Sequence, residues 1–340
     1  MSYKTLPKKQ ISKVIRKWMK QYEVIAPRKN QKDIKFEVIS DCEEVILNAD
    51  EKTIYPPKSF FLPQSETLFS CQSGRCRTVE LNSKQRILLG ARPCDTKAFW
   101  LLDHIFMEKS AEDLYWANHR DRTLVISFAC KSPRDSCFCT SVGGSPFSTQ
   151  GSDIQIIEID EDYLFESVTE RGAKLIADLP QAPKDVVNKV PRIMEESIGK
   201  IKKQFNAADL NSKLYALFED NFWKEISQSC LGCGVCTFLC PTCFCFDIVD
   251  EVLRGERVRN WDTCMFKIYS QEASGYNPRP TKAERTRQRV MHKFAYWEDA
   301  INEFGCTGCG RCVVHCPVNL DIRQIVREAQ ARKLKAGVGT

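Results

Sequence analysis

The sequence predicts an α+β chain: an N-terminal α/β domain over residues 1–210, then a mainly helical domain over residues 211–340. Three observations carry this. Two short apolar runs, Arg86–Ala91 and Thr123–Ala129, bracket an amphipathic stretch, which is a strand–helix–strand order. A polar stretch punctuated by Pro180, Pro183 and Pro191 gives way to helical periodicity from about Arg192 to Ser227. Helical stripes then follow each of two cysteine clusters in the last third of the chain.

In chain order, residues 8–22 read as an amphipathic helix, with Ile11, Val14, Ile15, Trp18, Met19 and Tyr22 on one face. Its other face is rich in Lys and Arg. Such a helix can lie on a membrane, but it more often packs on its own domain. From Glu23 to about Glu170 the pattern is strands, turns and short helices. Asp95 is the expected N-cap of a helix to about Phe106, with Ala98, Phe99, Leu102, Ile105 and Phe106 as its buried stripe. Ile154–Ile159 reads as a further strand. Asp247 is the expected cap of a helix carrying Ile248, Val249, Val252 and Leu253, within an insertion spanning 247–300. Asn319 or Asp321 is the expected cap of a last helix carrying Ile322, Ile325, Val326 and Ala329.

Composition narrows the chemistry. The chain has 340 residues, enough for two domains with cores, and a net charge of +6. No stretch approaches the roughly 18 continuous apolar residues of a membrane span, and the N-terminus lacks a signal-peptide pattern, so a soluble cytoplasmic protein is expected. Eighteen cysteines against four histidines is a soft, thiolate inventory. In a long intracellular chain with Cys-x-x-Cys spacing, that inventory points to iron–sulfur clusters or zinc rather than disulfides.

Two segments repeat one pattern, C-x-x-C-x-x-C-x-x-x-C-P. The first is Cys230, Cys233, Cys236, Cys240 and Pro241; the second is Cys306, Cys309, Cys312, Cys316 and Pro317. Gly232 and Gly234 in the first match Gly308 and Gly310 in the second. Three closely spaced thiolates wrap one face of a [4Fe–4S] cubane, and the glycines let backbone N–H groups turn toward the sulfurs. The fourth cysteine lies too far along to close the same cube comfortably, and in two-cluster ferredoxins it ligates the other cluster. The expected ligand sets are Cys230, Cys233 and Cys236 with Cys316, and Cys306, Cys309 and Cys312 with Cys240. A pair of zinc knuckles would need only four thiolates each and gives no role to the third cysteine or to the Cys-Pro. The second domain is accordingly expected to be a ferredoxin-like unit with two [4Fe–4S] clusters.

Four further cysteines follow the two central strands. Cys94 lies just after 86–91, Cys130 just after 123–129, and Cys137 and Cys139 close behind. Ligands gather at the carboxyl ends of strands in open α/β sheets, so these four are candidates for a third [4Fe–4S] cluster; the alternative is buried apolar thiols. Cys243, Cys245 and Cys264 are too few for a cluster alone and are read as lining the dicluster pocket or lending a ligand to the third site. Cys42, Cys71 and Cys76 are read as structural.

Taken together, these residues resemble the β subunits of soluble [NiFe] hydrogenases and sulfhydrogenases, a family with relatives in anaerobic sulfite reductase. The resemblance runs over most of the chain. It includes Gly-Ala-Arg-Pro-Cys-Asp at 90–95, Cys-Phe-Cys-Thr at 137–140, Cys-Pro-Thr-Cys-Phe-Cys-Phe-Asp at 240–247, Trp-Asp-Thr-Cys-Met-Phe at 261–266, Tyr-Asn-Pro-Arg-Pro at 276–280 and the second cysteine repeat. It implies an electron relay between a flavin subunit, linked to NAD(P)H, a deazaflavin or ferredoxin, and a catalytic oxidoreductase subunit. Related proteins also occur in complexes with heterodisulfide reductase components.

Two other function classes compete with this one. An iron–sulfur sensor or nucleic-acid-associated protein is suggested by the run from Arg254 to Lys293, where Lys and Arg outnumber acids. Over the whole chain the basic residues are too dispersed to argue for nucleic acid. A terminal enzyme would need an acid–base pair beside the extra cysteines, and the sequence supplies none. No G-x-G-x-x-G opens a helix after a strand, so NAD binding by this chain itself is not expected.

Overall fold

The run Arg86–Ala91 is apolar after its first residue, and Thr123–Phe128 is rich in β-branched and aromatic residues. Every residue of both is buried, as expected of central strands covered on both faces. The computed structural model describes residues 2–30, 33–47, 53–72, 75–202 and 204–333. It divides into two units, one of residues 1–62, 80–140 and 144–202, the other of 63–79, 141–143 and 203–340.

The first unit is built on seven strands: β1 (Tyr3–Pro7), β2 (Glu23–Asn30), β3 (Asp33–Val38), β6 (Arg86–Ala91), β7 (Thr123–Phe128), β8 (Ile154–Ile159) and β9 (Asp162–Ser167). Their order across the sheet is β1-β9-β8-β7-β6-β2-β3. The centre, β2 to β8, is parallel, and both edges are closed by antiparallel neighbours. The helix α1 (Ile11–Met19) lays Ile15 and Trp18 on the sheet residues Ile87, Leu89, Ile126, Phe128 and Ile154, with Ile11, Val14, Met19 and Tyr22 beside them. The basic amphipathic helix therefore packs on its own sheet.

The helix α2 (Pro93–Phe106) connects β6 to β7. Asp95 lies in its first turn and is not its cap. Arg92 is the N-cap and Pro93 starts the helix, where a fixed φ and a missing N–H cost nothing. Phe99 of α2 packs on Phe61 at 4.5 Å, and Phe106 on Trp116 at 5.0 Å. Trp116 belongs to α3 (Leu114–Asp121), and its indole N–H donates to Asp103 at 2.8 Å.

The second unit holds an antiparallel sheet of β4 (Ser65–Gln72), β5 (Arg75–Thr78), β10 (Phe246–Glu251) and β11 (Glu256–Trp261), ordered β10-β11-β4-β5. Two expectations are corrected here. Residues 247–253 are not a helix: 246–251 pair with 256–261 as a hairpin, from Phe246 opposite Trp261 to Glu251 opposite Glu256. The apolar residues read as a buried helix face instead lie open, with Val252 87% and Leu253 104% exposed at the turn. Residues 63–79, assigned by sequence to the first domain, pack in the second unit, because β4 pairs with β11. Cys71 and Cys76 face each other across β4 and β5 and are joined in a disulfide.

Around this sheet the second unit is helical: Leu210–Ala216, Phe222–Ile226, Val235–Phe238, Lys282–Met291, Trp297–Ile301, Arg311–Val314 and Ile322–Ala331. Asp321 caps the last of these, accepting from the Arg323 N–H at 2.8 Å. Among the described residues no helix is long and apolar enough to cross a membrane.

Candidate metal centre

The two cysteine repeats fold alike. Gly232 and Gly234 have φ of 69° and 75°; Gly308 and Gly310 have 63° and 76°. These are left-handed conformations that a side chain would strain. At each second glycine the chain enters a single helical turn, Val235–Phe238 or Arg311–Val314, with that glycine as N-cap. The third cysteine of each repeat, Cys236 or Cys312, rides on that turn. The left-handed backbone also turns N–H groups toward sulfur, and the Gly232 N–H reaches Cys230 Sγ at 3.4 Å. At the end of the second repeat the Leu320 N–H reaches Cys316 Sγ at 3.2 Å.

Cys230, Cys233 and Cys236 line one cavity of about 50 Å³, and Cys316 of the other repeat lines it with them. Met265, Val290, Leu320, Ile322 and Ile325 give it apolar walls, and Arg289 and Cys312 also border it. On the second repeat, burial pushes the Cys306 thiol up to about 12, with Cys240 as its next largest influence. Burial likewise raises Cys312, which feels Cys309, Cys306 and Cys240. Cys240 of the first repeat therefore stands in the field of Cys306 and Cys312, and Cys316 of the second stands with Cys230, Cys233 and Cys236.

The insertion between the repeats supplies the surroundings. Thr242 donates from Oγ1 to the Gly305 carbonyl at 2.7 Å, tying Cys240 to the entry of the second repeat. Its Oγ1 also lies 3.2 Å from Cys240 Sγ. Thr237 donates to the Gly234 carbonyl at 2.6 Å and lies 2.6 Å from Thr263 Oγ1. Cys243 bonds to Cys240, which lowers Cys240 and raises Cys243. Cys264 bonds to Cys245, which brings Cys245 down to about 6 and raises Cys264. Cys230, Cys264 and Met265 form one packed cluster with Cys236, Cys245 and Leu320 against them.

Two buried cations were not anticipated from sequence. Arg289, in Lys282–Met291, donates from Nη2 to the Cys236 carbonyl at 2.9 Å. Lys293, in the π-helical turn His292–Tyr296, is buried and donates from Nζ to Thr242 Oγ1 at 2.7 Å. Burial opposes the charge on each, yet both are held above their ordinary range by the surrounding cysteines: Cys236 and Cys312 chiefly for Arg289, Cys240 and Cys243 for Lys293. Burial, then Lys293, pushes His292 down to about 3, so its Nε2 accepts from the Trp297 indole at 3.1 Å as a neutral ring.

In the first unit, Cys94 sits in the first turn of α2, and Cys130, directly after β7, is buried. Both act on Arg92, whose guanidinium burial pushes down and Cys130, Cys94 and Asp95 push back up. Cys137 is buried and donates its N–H to the Arg134 carbonyl; the Cys139 carbonyl accepts from Gly144. Among the described residues no three His, Cys, Asp or Glu side chains form a ready site for a single metal ion.

Soft thiolates spread around a cavity, N–H groups aimed at sulfur, and buried cations beside them fit a [4Fe–4S] cluster. A family described as a 4Fe-4S dicluster domain matches residues 229–320. Sulfhydrogenase 2 subunit beta of Pyrococcus furiosus is 29% identical over 314 residues, covering 90% of this chain and 92% of its own. The F420-dependent formate dehydrogenase subunit beta of Methanocaldococcus jannaschii is 24% identical over 177 residues, covering 49% of this chain and 38% of its own. No solved structure matches. The chain is thus similar to a sulfhydrogenase β subunit along most of its length and carries the dicluster match in its last third, which together support an iron–sulfur electron-transfer subunit of an oxidoreductase.

Proposed function

We propose that this chain relays single electrons between a catalytic subunit of hydrogenase, sulfur or sulfite reductase, or heterodisulfide reductase type and a flavin subunit, in the cytoplasm. Two [4Fe–4S] clusters would be held by Cys230, Cys233, Cys236 and Cys316, and by Cys306, Cys309, Cys312 and Cys240. The observation that carries this is the presence of Cys316 in the wall of the cavity lined by the first repeat's three cysteines. Bound there, a [4Fe–4S] cluster takes up and gives back one electron at a time. The chain's own residues hold the thiolates apart, wall the cavity with apolar side chains and place N–H groups and cations beside the sulfurs. Exchange of the fourth ligand would knit the two repeats into one rigid frame.

A third cluster on Cys94, Cys130, Cys137 and Cys139 is favoured by Arg92. Its buried guanidinium lies beside Cys94 and Cys130, at the carboxyl ends of β6 and β7. Such a cation stabilises thiolates.

The basic run that suggested nucleic-acid binding is largely consumed within the second unit. Arg285, Arg289 and Lys293 are buried; Arg259 pairs with Glu66 at 2.5 Å, Arg257 with Asp250 at 2.7 Å and Arg287 with Glu219 at 3.3 Å. Anaerobic purification from the native source tests the relay. A flavoprotein and a catalytic oxidoreductase subunit should co-purify, with about eight iron atoms in this chain, or about twelve with the third cluster filled. Stoichiometric zinc without iron in oxygen-free preparations would sink the assignment.

A further inference from the structure

Arg289 and Lys293 are four residues apart, so they project from neighbouring turns of one continuous helical segment. The π-helical turn His292–Tyr296 alters the winding there, a feature that recurs at functional sites. Both are buried, at 7% and 2% exposure, and neither makes an ion pair with a carboxylate among the described residues. Arg289 Nε has no hydrogen-bond partner, and Lys293 Nζ bonds only to Thr242. A buried, uncompensated cation costs several kcal/mol, so a negative partner is required. The acidic groups nearest them are cysteine thiols: Arg289 bonds to the Cys236 carbonyl and borders the cavity of Cys230, Cys233, Cys236 and Cys316, and Lys293 bonds to Thr242 Oγ1, which lies 3.2 Å from Cys240 Sγ. Lys293 is also anchored on both sides of the second ligand set. Its Nζ bonds to Thr242, two residues after Cys240, and its carbonyl accepts from Gly305, next to Cys306.

We propose that Arg289 and Lys293 are the fixed counter-charges of the two clusters and set their reduction potentials, Lys293 acting mainly on the cluster of Cys306, Cys309, Cys312 and Cys240, and Arg289, between the sets, acting on both. The proposal rests on the dicluster reading above. When a low-potential one-electron donor reduces a cluster, the electron makes an already anionic cluster–thiolate unit one charge more negative, and no bond forms or breaks. A nearby buried cation favours that reduced state over the oxidised one, in a setting where solvent screens little. The two sites need not be equivalent, because one faces both cations and the other mainly Arg289.

The test uses the full chain prepared anaerobically, with iron and sulfide counted before a potentiometric titration followed by electron paramagnetic resonance. K293Q with a full iron complement should lower the equilibrium constant for reduction of one cluster at least tenfold, which is about 59 mV for one electron, and move the other less. K293R, which keeps the charge, should restore it. R289Q should lower both. Full iron with both potentials unmoved in K293Q, or a K293R shift as large as that of K293Q, overturns the proposal and leaves the dicluster assignment standing. If K293Q fails to hold iron, R289Q decides: a fall in both potentials supports the proposal and no fall overturns it. Wild-type protein that carries zinc and no iron overturns the dicluster reading itself.

Discussion

Exchange of the fourth cysteine between repeats makes a claim that a single substitution can break. Cys316→Ala should damage the cluster of the first repeat, which lies far upstream in the chain but shares its cavity. The cost to the fold is small. The substitution frees the Leu320 N–H, whose bond to Cys316 Sγ is 3.2 Å long, and such a bond is worth about 1 kcal/mol against a native stability of about 5–15 kcal/mol. Asp321 still caps the helix that follows. The cost to the cluster is one thiolate of four. Iron should fall by about four atoms per chain, or by about one where a three-iron form persists. Cys230→Ala and Cys306→Ala serve as markers for the two sites. By iron count, potential and the paramagnetic signal of dithionite-reduced protein, Cys316→Ala should match Cys230→Ala, and Cys240→Ala should match Cys306→Ala. If Cys316→Ala instead matched Cys306→Ala, each repeat would be closing its own cluster and the exchange would be refuted.

Further outcomes are expected. Gly305→Ala would bring a Cβ to 2.4 Å from Trp297 Cδ1 and 2.6 Å from Cγ; the ring is buried, so denaturant titration should register a loss of about 1–3 kcal/mol. Trp116→Ala, which empties a fully buried site and frees Asp103 of an indole partner, should cost about 3–5 kcal/mol in the same assay. Cys94→Ala in the full chain should remove about four iron atoms if the third cluster is present; an unchanged count would return Cys94, Cys130, Cys137 and Cys139 to a structural role. The isolated chain should accept electrons from a low-potential donor but should not oxidise NADH or NADPH; appreciable oxidation by flavin-free protein would contradict the relay reading.

What the sequence disclosed follows from how local each signal is. The strands at 86–91 and 154–159 match residue for residue, because a short apolar run bounded by polar residues has few other ways to bury itself. Helix α1 is legible because its apolar stripe is local and lands on a sheet. The N-cap of α2 lies three residues before the expected one: a carboxylate three residues before the apolar stripe looks like a cap, but Pro93 fixes the turn earlier. The hairpin escapes the sequence for a different reason. Ile248, Val249, Val252 and Leu253 fit a helical stripe, yet Ile and Val also favour strands, Gly255 at φ 64° closes the turn between β10 and β11, and β11 in turn pairs with β4. That pairing partner lies far away in the chain, outside any local window. The cysteine repeats are legible because cluster geometry imposes their spacing. Arg289 and Lys293 are not, because Lys and Arg are read as solvent-facing unless something marks them as paired. A usable signal exists: Arg289, Val290, Lys293 and Phe294 share the apolar face of their helix, so the two cations stand where a core residue belongs.

That placement changes the meaning of the insertion between Cys240 and Cys306. A mere spacer would only separate two copies of a ligand motif. In the structure it contributes Thr242 to the Cys240 sulfur, Thr263 and Met265 to the turn and cavity of the first repeat, and Arg289 and Lys293 to the charge around both. The motif fixes which sulfurs bind; hydrogen bonds, burial and nearby charge fix the potential. The insertion contributes to all three, beside the Gly232 and Leu320 N–H groups and the apolar residues that follow the second repeat. Two chains with identical cysteine spacing and different insertions should therefore bind the same clusters yet run at different potentials, and grafting only the cysteine repeats onto another scaffold should transfer the iron without transferring the potential.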